Sequence, residues 1–564
     1  MNKLRTVFLV VLIGWLVILA GNWPDGRAAG QTIPQRRVNV PYTTSANGGW
    51  PKDRAIFWFG QVNPTSNYAD VRTVYNDTQL IITLNIFDRQ LWYDNTPTAV
   101  TLEQWDAVTL YLDLSGNTGS APQSDSYRFV VQLRQEANAA TYQGNGSGWD
   151  TAVIPFTPTT GWRGDGVNNG AETRGWSATF KIPYSSLGLA GKPADGTIWG
   201  LGLALHDRDD AAGSPIADQI WPETLAGGQP STWGQLHFGL PTYTPPPAAP
   251  AGTTTIRHGL NGAVVEDGHV GGQAVCGDPF NPNFFNGWGD ANYAGDEQVN
   301  VQNQMDVADW PCFSKFYLTL PLDAVPAGKE IISATLTVYQ FGNAGGPGEA
   351  EPSVIQALTV AETWSESSIT WNNAPLAVQN VARADVDPIT NFPGWPGVPI
   401  TWDVSGAVAE AYAAGEPLRL ALYSADSEQH SGKYFTSSDT GNWNANGRPT
   451  LEVVWGDPPL LVLPPVQRVE PGQFAEYIIS ADGLSGPVTL SAPSPSPDLL
   501  VSLSPSVITP PQTAVLTLTD THSAVTTGIW YTVPITATGG GETQTAQARL
   551  LVGGSQVFLP LVER

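Results

Sequence analysis

Apolar residues occupy every second position through much of this sequence, and that alternation limits the fold more than any other feature. Leu80, Ile82, Leu84 and Ile86 form one such run. Successive side chains of a β-strand point to opposite faces, so this spacing predicts strands with one face in a core. The same spacing recurs at 108–114, 176–182, 199–205, 316–320, 334–338, 418–422 and 451–455. Turn-forming clusters such as SGNTGSAPQSD separate the runs, and the sequence therefore predicts an all-β fold of sandwich or jelly-roll domains.

One segment departs from this pattern and has the spacing of a helix. Its apolar residues are Val404, Val408, Ala411 and Tyr412. Asp403 or Ser405 is the expected N-cap, and Gly415 follows the expected end. These signals predict one short helix in the mature chain.

A chain of 564 residues has the length of three or four domains. A Pro-rich stretch, PTYTPPPAAPAGTTT, is predicted to be a stiff extended linker that forms no packed element. The predicted organisation is a signal peptide (1–29), a first sandwich (35–240), the linker (241–255), a second jelly roll (256–457), a smaller sandwich (458–553) and a C-terminal tail (554–564) with an apolar FLPLV patch.

The first thirty residues have the pattern of an export signal. Lys3 and Arg5 precede an apolar run, and the small residues Ala28 and Ala29 follow it. This order predicts cleavage near Ala28 or Ala29 and a secreted or cell-surface protein. An uncleaved anchor is the alternative, but the run is shorter than the ~20 residues that span a bilayer.

Only two cysteines, Cys276 and Cys312, occur in the chain, and both lie in the predicted second domain. In an exported protein such a pair is expected to form a disulfide, which would contribute about 4 kcal/mol in the chain-entropy model. A metal or thiol site would need more ligands than two cysteines.

The formal net charge of −25 argues against nucleic acid as a partner, because phosphates select clustered Lys and Arg. It also disfavours polyanionic glycans, unless calcium bridges the like charges. Neutral glycans remain compatible with the composition.

The second domain contains an unusual segment, ETWSESSITWNNAP (362–375), in which Trp371 is predicted to fill a core and the Asn and Pro residues to end the segment in a turn. Together with IISATLTVYQF (331–341), WDVSGAVAEAYAAGEP (402–417), FTSSD and RPTLEVVW (448–455), it resembles the DNRLRE family, also described as carbohydrate-binding module family 96. The resemblance implies an extracellular β-jelly roll that binds rather than catalyses.

The first domain contains YADVRTVYNDTQLIITLNIFD, WDAVTLYLDLSGN, GWSATFKIPYSSLG, GLALHDRDD and STWGQLHFG in that order. This succession resembles carbohydrate-binding module family 9 and its DOMON-like relatives, which implies a calcium-stabilised sandwich that binds sugars. The best-known members hold a sugar between two tryptophans. Here those positions align with Glu103 and with Gly227 and Gly228, so a sugar site must use other aromatic residues: Trp92 with Tyr93, Trp105, Trp162 or Trp233.

Sugar rings stack on exposed aromatic faces, so the placement of tryptophan matters. Trp176, Trp199, Trp364, Trp371 and Trp455 are in phase with apolar faces and are predicted to be core. Tryptophans in predicted loops are the candidates for exposure and sugar contact: Trp149, Trp162, Trp288, Trp395 and Trp443. The third domain, which has Trp530 alone, resembles the immunoglobulin-like or fibronectin-like spacers of bacterial surface proteins.

Two acidic clusters end predicted strands and supply hard oxygen ligands of the kind that calcium prefers. They are Asp207, Asp209 and Asp210, and Asp113, Asn117 and Asp125. The alternative is that these are solvated loop acids.

Catalytic templates are missing: the sequence has no HExxH, GxSxG or P-loop motif. Because each domain resembles a binding or spacer family, the sequence predicts a secreted, non-catalytic protein that binds a neutral plant or microbial polysaccharide. A structural or adhesive surface protein without sugar binding is the first alternative, and a glycoside hydrolase or polysaccharide lyase accessory is the second.

Overall fold

A computed structural model describes residues 34–116, 119–134, 138–246, 248–271, 284–303, 313–346, 348–426, 430–524 and 528–553. Across these residues the fold is nearly all β, which confirms the predicted fold class. None of the helices in the described part of the chain has the length and apolar character of a membrane span. The signal peptide, Asn117, both cysteines and the C-terminal tail lie outside the described residues, so the predictions that concern them stay predictions.

The first domain is a sandwich of two sheets. One sheet has the order β1-β13-β11-β5-β6-β7-β8, with β12 beside β11, and the other has the order β2-β3-β4-β10-β9. Leu84, Leu110, Phe180 and Leu203 belong to the core between them. The strands are β1 (Arg37–Val40), β2 (Ala55–Asn63), β3 (Ser66–Tyr75), β4 (Gln79–Phe87), β5 (Ala107–Asp113), β6 (Ser126–Gln132), β7 (Ala139–Gly144), β8 (Trp149–Thr151), β9 (Thr157–Gly164), β10 (Thr173–Pro183), β11 (Ile198–Asp207), β12 (Ile216–Trp221) and β13 (Gly234–Phe238).

The second domain is built on one continuous hydrogen-bonded path, β14-β24-β18-β23-β16-β17-β22-β19-β20, with β15 beside β17 and β21 beside β18. Its core includes Phe316, Leu336, Leu420 and Leu451. The elements are β14 (Pro250–Arg257), β15 (Glu266–Gly271), β16 (Gln298–Asn303), β17 (Phe313–Leu320), β18 (Glu330–Asn343), β19 (Ser353–Val360), β20 (Ala377–Val386), β21 (Val398–Asp403), α1 (Ser405–Ala414), β22 (Leu418–Ser424), β23 (Lys433–Thr436) and β24 (Thr450–Gly456).

The third domain pairs a sheet of order β25-β27-β31-β29 with one of order β26-β33-β32-β28-β30. Tyr477, Leu516 and Val533 lie in the core between the two sheets. The strands are β25 (Leu461–Leu463), β26 (Val466–Val469), β27 (Phe474–Ser480), β28 (Val488–Ser491), β29 (Leu499–Ser504), β30 (Val507–Ile508), β31 (Ala514–Asp520), β32 (Ile529–Gly539) and β33 (Glu542–Val552).

The predicted helix is α1, and Gly415 ends it with a φ of 71°. Val404 is the N-cap residue, while the carboxylate of Asp403 accepts hydrogen bonds from the Ser405 backbone N–H (3.0 Å) and hydroxyl (2.5 Å). The predicted N-cap, Asp403 or Ser405, is therefore one residue away from the observed N-cap, Val404.

The prediction that the Pro-rich stretch forms no packed element is wrong for its second part. Pro250–Arg257 is strand β14, which pairs antiparallel with β24. Ala251, Gly252 and the threonines that follow can join a ladder, because the prolines that cannot donate to it precede them in the sequence.

Strands β3 and β4 are buried almost throughout, on both faces, although antiparallel sandwiches commonly leave one face to solvent. Their outer faces pack against the outer face of strands β17, β22 and β19 of the second domain. One apolar cluster includes Ile56, Trp58, Tyr68 and Phe87 from the first domain and Tyr317, Leu358, Trp371, Ala421 and Tyr423 from the second. We call this contact the docked face.

A polar network lies inside the docked face. Asp70 accepts hydrogen bonds from the hydroxyls of Tyr68 and Tyr423, both at 2.8 Å, and from the Asn303 amide at 3.0 Å. The Nζ atom of the fully buried Lys315 donates to the Tyr68 hydroxyl at 2.7 Å. Because Asp70 and Tyr68 belong to the first domain and the other three residues to the second, this network joins the two domains.

Candidate functional site

Exposed aromatic side chains of the second domain gather at one place. Trp443, Trp395 and Phe392 are 63%, 47% and 43% exposed. The centroid of the Trp395 ring lies 4.9 Å from that of Trp443 and 5.2 Å from that of Phe392. The half-buried Phe341 and Tyr434 continue the row, with centroid separations of 5.8 Å from Trp395 to Phe341 and 6.2 Å from Phe341 to Tyr434. We call these five residues the aromatic patch.

The two indoles of the patch do not form one flat surface. The planes of Trp395 and Trp443 meet at 87°, so a sugar ring can stack on one indole while its edge contacts the other. A corner of this kind suits a sugar residue of a single chain better than the flat face of a crystalline polymer, because a flat face would meet only one ring.

Hydrogen bonds hold the loop between β20 and β21 against β18. This loop carries Phe392 and Trp395. The Gln340 amide donates to Asn343 Oδ1 (2.9 Å) and to the carbonyl of Asp387 (3.3 Å). The Asn343 amide in turn exchanges hydrogen bonds with the backbone of Ile389 at 2.8 and 3.2 Å. Gly397 has a φ of 109°, and a Cβ there would lie 2.6 Å from the Gln340 carbonyl oxygen, so only glycine fits this close approach.

Arg448 holds the short helical segment Asn442–Gly447 that carries Trp443. Its guanidinium donates to the Thr440 carbonyl at 2.9 and 2.7 Å and to Asn442 Oδ1 at 3.0 Å. A further bond reaches the carbonyl of His258 at 3.1 Å. Both loops of the patch are thus positioned before any ligand arrives, which lowers the entropic cost of binding.

Amide groups flank the patch and can serve sugar hydroxyls. Asn391 and Asn446 are exposed, and their side chains form no hydrogen bond with any residue that the structure describes. An amide offers both donors and an acceptor, so the patch combines apolar faces with the polar groups that saccharide recognition requires.

The predicted exposure is confirmed for Trp162, Trp395 and Trp443, and Trp149 is half-buried. The prediction is wrong for Trp288, which is 7% exposed. Its ring packs 4.8 Å from Phe284 and 4.9 Å from Trp371, because the glycine-rich loop that carries it turns inward onto the docked face.

Trp233 is also unable to offer a ring face to a sugar, because its side chain is fully buried. Its indole N–H donates to the carbonyl of Ala226 at 2.9 Å. Trp149 lies almost parallel to it, at 3° and 6.3 Å between centroids, and Tyr111 packs 5.2 Å away.

The remaining aromatic candidates of the first domain are half-buried. The guanidinium carbon of Arg208 lies 4.3 Å from the centre of the Trp105 ring and so covers one face of it. The backbone N–H groups of Trp92 and Tyr93 bond to Asp106 (2.7 Å) and Asn168 (2.8 Å). These contacts place the candidates beside a buried acidic site rather than on an open aromatic surface.

Charged and small residues stand where the family 9 resemblance would place sugar-binding tryptophans. Glu103 forms an ion pair with Arg128 and lies 3.5 Å from His206, which also bonds Asp218 at 2.9 Å. Burial alone would lower the pKa of His206, but the hydrogen bonds with Asp218 and Glu103 raise it to about 9. At Gly227 a Cβ would lie 2.5 Å from the Tyr111 hydroxyl, so no side chain fits there.

Three buried carboxylates, Asp88, Asp106 and Asp207, form an acidic triad in the first domain. One carboxylate oxygen from each residue lies within 4.8 Å of the corresponding oxygens of the other two. Asp88 Oδ2 and Asp207 Oδ1 are buried and form no hydrogen bond among the described residues. Burial and the neighbouring carboxylates raise the pKa of Asp88 and Asp106, and the pKa of Asp207 rises to about 7. Oxygen-only donors with unpartnered atoms fit a hard divalent cation such as calcium.

The triad contains one of the predicted calcium ligands, Asp207. Asp209 adds negative charge close to Asp207, whereas Asp210 Oδ1 accepts hydrogen bonds from the backbone N–H groups of Ala212 and Gly213 within its own turn.

Two members of the second predicted cluster, Asp113 and Asp125, are described, whereas Asn117 lies outside the described residues, so this calcium site stays a prediction. Asp113 accepts hydrogen bonds from the Ser115 backbone (3.0 Å) and hydroxyl (2.5 Å) and from the Ser126 hydroxyl (2.7 Å), as in a side-chain-stabilised turn. The Asp125 carbonyl accepts from Leu114 at 3.1 Å.

Sequence reasoning missed Phe341, Phe392 and Tyr434 of the patch and Asp88 and Asp106 of the triad. The two aspartates flank strands, in LNIFD and WDAVTL, which is the signal that identified Asp207. The pairing of β11 with β5 brings Asp207 close to Asp106, and the packing of the two sheets adds Asp88, which follows β4 in the other sheet.

Comparison with known protein families gives a match in the second domain. A model of carbohydrate-binding module family 96 matches residues 286–453, which confirms the resemblance of the second domain. The aromatic patch lies within that range. No curated protein sequence matches the chain.

Solved structures similar to the chain include a family 9 carbohydrate-binding module from Caldicellulosiruptor kristjanssonii, in complexes with cellotriose and with glucose. In both cases the sequence identity is 18% and the TM-score is 0.27. The matched region covers 37% of this chain and 100% of the solved chain. A beta-glucuronidase of Bacteroides uniformis covers 42% of this chain and 26% of its own at 11% identity, with a TM-score of 0.13.

Proposed function

We propose that the protein is a secreted, non-catalytic carbohydrate-binding protein and that the aromatic patch of the second domain binds a neutral polysaccharide. The observation that carries this proposal is the contiguous exposure of Phe392, Trp395 and Trp443 within the part of the chain that matches a carbohydrate-binding family. Isolated exposed apolar side chains are normal, but contiguous exposed rings mark binding surfaces.

Affinity electrophoresis in gels containing xylan, hydroxyethyl cellulose or alginate tests the proposal. We expect xylan or hydroxyethyl cellulose to retard the protein and alginate to have no effect, because the net charge of −25 repels a polyanion. Unchanged mobility in every gel would contradict the proposal and favour a structural or adhesive surface protein.

The non-catalytic part of the proposal needs its own measurement. Reducing-sugar release from the same polymers should stay at the level of a blank, since the proposed site presents aromatic rings and amides, which bind a sugar but do not supply the acid that glycoside hydrolysis needs. Release above the blank would identify a glycosidase.

We further propose that calcium binds the acidic triad and stabilises the first domain. A cation would supply the positive charge that Asp88, Asp106 and Asp207 lack among their described neighbours, and their two unpartnered oxygens are available as ligands. Calcium takes six to eight oxygen ligands, so backbone carbonyls or water would complete the shell.

Thermal unfolding with and without metal tests the calcium site. After treatment with a chelator, added calcium should raise the melting temperature of the wild type and of Asp210→Asn, but not that of Asp88→Asn. Asp210 is the matched control because it lies three residues from Asp207 and outside the triad. An equal calcium response in all three proteins would refute the site.

A further inference from the structure

The first and second domains meet along a buried contact, so the space beside it has a defined shape. The fully buried Arg36 forms ion pairs with Glu223 of the first domain and Glu362 of the second, both at 2.5 Å. Asn380 and the backbone of Asn39 exchange two hydrogen bonds of 2.8 Å. Removing one partner of a buried pair is strongly destabilising, and these bonds therefore oppose separation of the domains.

A cavity of about 200 Å³ opens beside Asn380, between the two domains. This volume is far more than the about 15 Å³ that one water molecule requires. We call it the interdomain cleft, and it is lined by Lys52, Asp53 and Arg54 of the first domain and by Gln356, Arg383 and Asp403 of the second. Clefts between domains are preferred places for small ligands.

Three side chains of the cleft are available to a ligand. Those of Lys52, Asp53 and Arg383 make no hydrogen bond or ion pair with any other residue in the described part of the chain. In the described part of the chain, Arg54 bonds neutral acceptors, namely the Gly48 carbonyl at 3.3 Å, the Thr83 hydroxyl at 3.3 Å and the Gly49 carbonyl at 3.5 Å. Donors and a carboxylate thus line the cleft together, which suits a polyhydroxylated ligand.

An exposed tryptophan lies two residues before the lining residue Lys52 in the sequence. Trp50 is 65% exposed, more than any other described tryptophan, and its ring makes no aromatic contact within the described residues. It begins the short turn Pro51–Asp53, and its carbonyl accepts a hydrogen bond from the Asp53 N–H at 3.1 Å. The indole and two of the unpartnered side chains therefore lie on one tight turn.

We propose that the interdomain cleft is a second saccharide site, in which a hexopyranose residue stacks on Trp50 and its hydroxyls bond Lys52, Asp53 and Arg383. This inference rests on the proposed function but not on the aromatic patch. Neither domain alone contains the whole site, so it exists only in the docked pair. Two sites on one chain would raise the avidity for a polymer chain beyond the affinity of either site.

Calorimetric titration of the full chain with xylohexaose and with cellohexaose tests the cleft. We expect two sites per wild-type chain and one site each in Trp50→Ala and Trp443→Ala. The double variant should bind neither hexasaccharide. Arg383→Gln should weaken the cleft site about tenfold, and Trp530→Ala, an exposed tryptophan of the third domain, should match the wild type.

Each outcome separates the cleft from the patch. If Trp50→Ala and Arg383→Gln both bind like the wild type while Trp443→Ala does not bind, the cleft is wrong and the patch stands. If Trp50→Ala loses all binding while Trp443→Ala keeps it, the cleft stands and the patch is wrong. If neither hexasaccharide binds the wild type, both proposals fall. Far-ultraviolet circular dichroism of each variant confirms that it is folded.

Discussion

The docked face and the aromatic patch of the second domain are both rich in large rings, yet they have opposite environments. On the docked face Trp371 is 3% exposed, and Lys315 Nζ lies 3.4 Å from the centre of its ring. In the patch, Trp395 is 47% exposed and lies beside the rings of Phe392 and Trp443 of the same surface. Aromatic content therefore does not locate a binding site. What separates the two surfaces is whether another part of the chain covers them.

The largest expected effect comes from removing a ring of the docked face. Trp371→Ala should lower the free energy of unfolding by about 3–5 kcal/mol, because a large cavity replaces the indole. Trp395→Ala is the matched control and should cost less than about 1 kcal/mol, since its ring is half-exposed. Denaturant unfolding measures both, and equal losses would abolish the distinction between the two surfaces.

A second large effect is expected from the polar network between the domains. Asp70→Ala should cost about 3–5 kcal/mol, since it leaves the hydroxyls of Tyr68 and Tyr423 without their acceptor and Lys315 without its nearest carboxylate. The control is Lys329→Ala, which breaks a more exposed ion pair with Asp457 and should cost at most about 1 kcal/mol. A small loss in Asp70→Ala would show that the domains are held by apolar contact alone.

The aromatic patch should show the reverse behaviour, with a loss of binding and little loss of stability. Trp443→Ala should weaken its site about a hundredfold, which corresponds to about 2.7 kcal/mol and removes the site from a calorimetric titration. Its thermal unfolding should stay close to that of the wild type, because the indole is 63% exposed. Affinity electrophoresis and calorimetry together check this, and undiminished binding would remove Trp443 from the site.

The smallest effect concerns the pH dependence of the docked face. Burial lowers the pKa of Lys315 well below its usual value, and the charge of Asp70 opposes this only in part. The unfolded chain therefore binds the proton more tightly, so stability should rise with pH up to about pH 10, where free lysine loses its charge. Lys315→Met should flatten that rise. Parallel stability curves for the two proteins over this range would show that the pKa of Lys315 is not lowered.

Much of the fold followed from local pattern. The alternation at Leu80, Ile82 and Leu84 predicted an inner face, and all three side chains are fully buried. The same rule did not predict the burial of Phe87 on the opposite face, where Gln79, Thr83 and Asn85 are polar. A strand with two buried faces has no solvent side, and the partner that covers the second face lies hundreds of residues away.

The candidate site was predicted only in part for the same reason. Trp395 and Trp443 were found because Gly, Pro and Asn neighbours indicate loops, and loops lie at surfaces. Trp288 has similar neighbours but is buried, because its loop packs onto the docked face. The acidic triad was incomplete because its members come from the ends of three strands in two sheets, and only the packing of those sheets brings the ends together.

Sequence alone determined the all-β class, the single α-helix of the described chain, the inner faces of the strands and the resemblance of the second domain to carbohydrate-binding module family 96. These properties depend on local spacing and on motifs that the chain itself displays. Tertiary structure decided which aromatic faces stay open, which aspartates meet and that two domains share one buried contact. Those properties depend on contacts between residues far apart in sequence, and no local pattern records which distant surface will exclude water from a given ring.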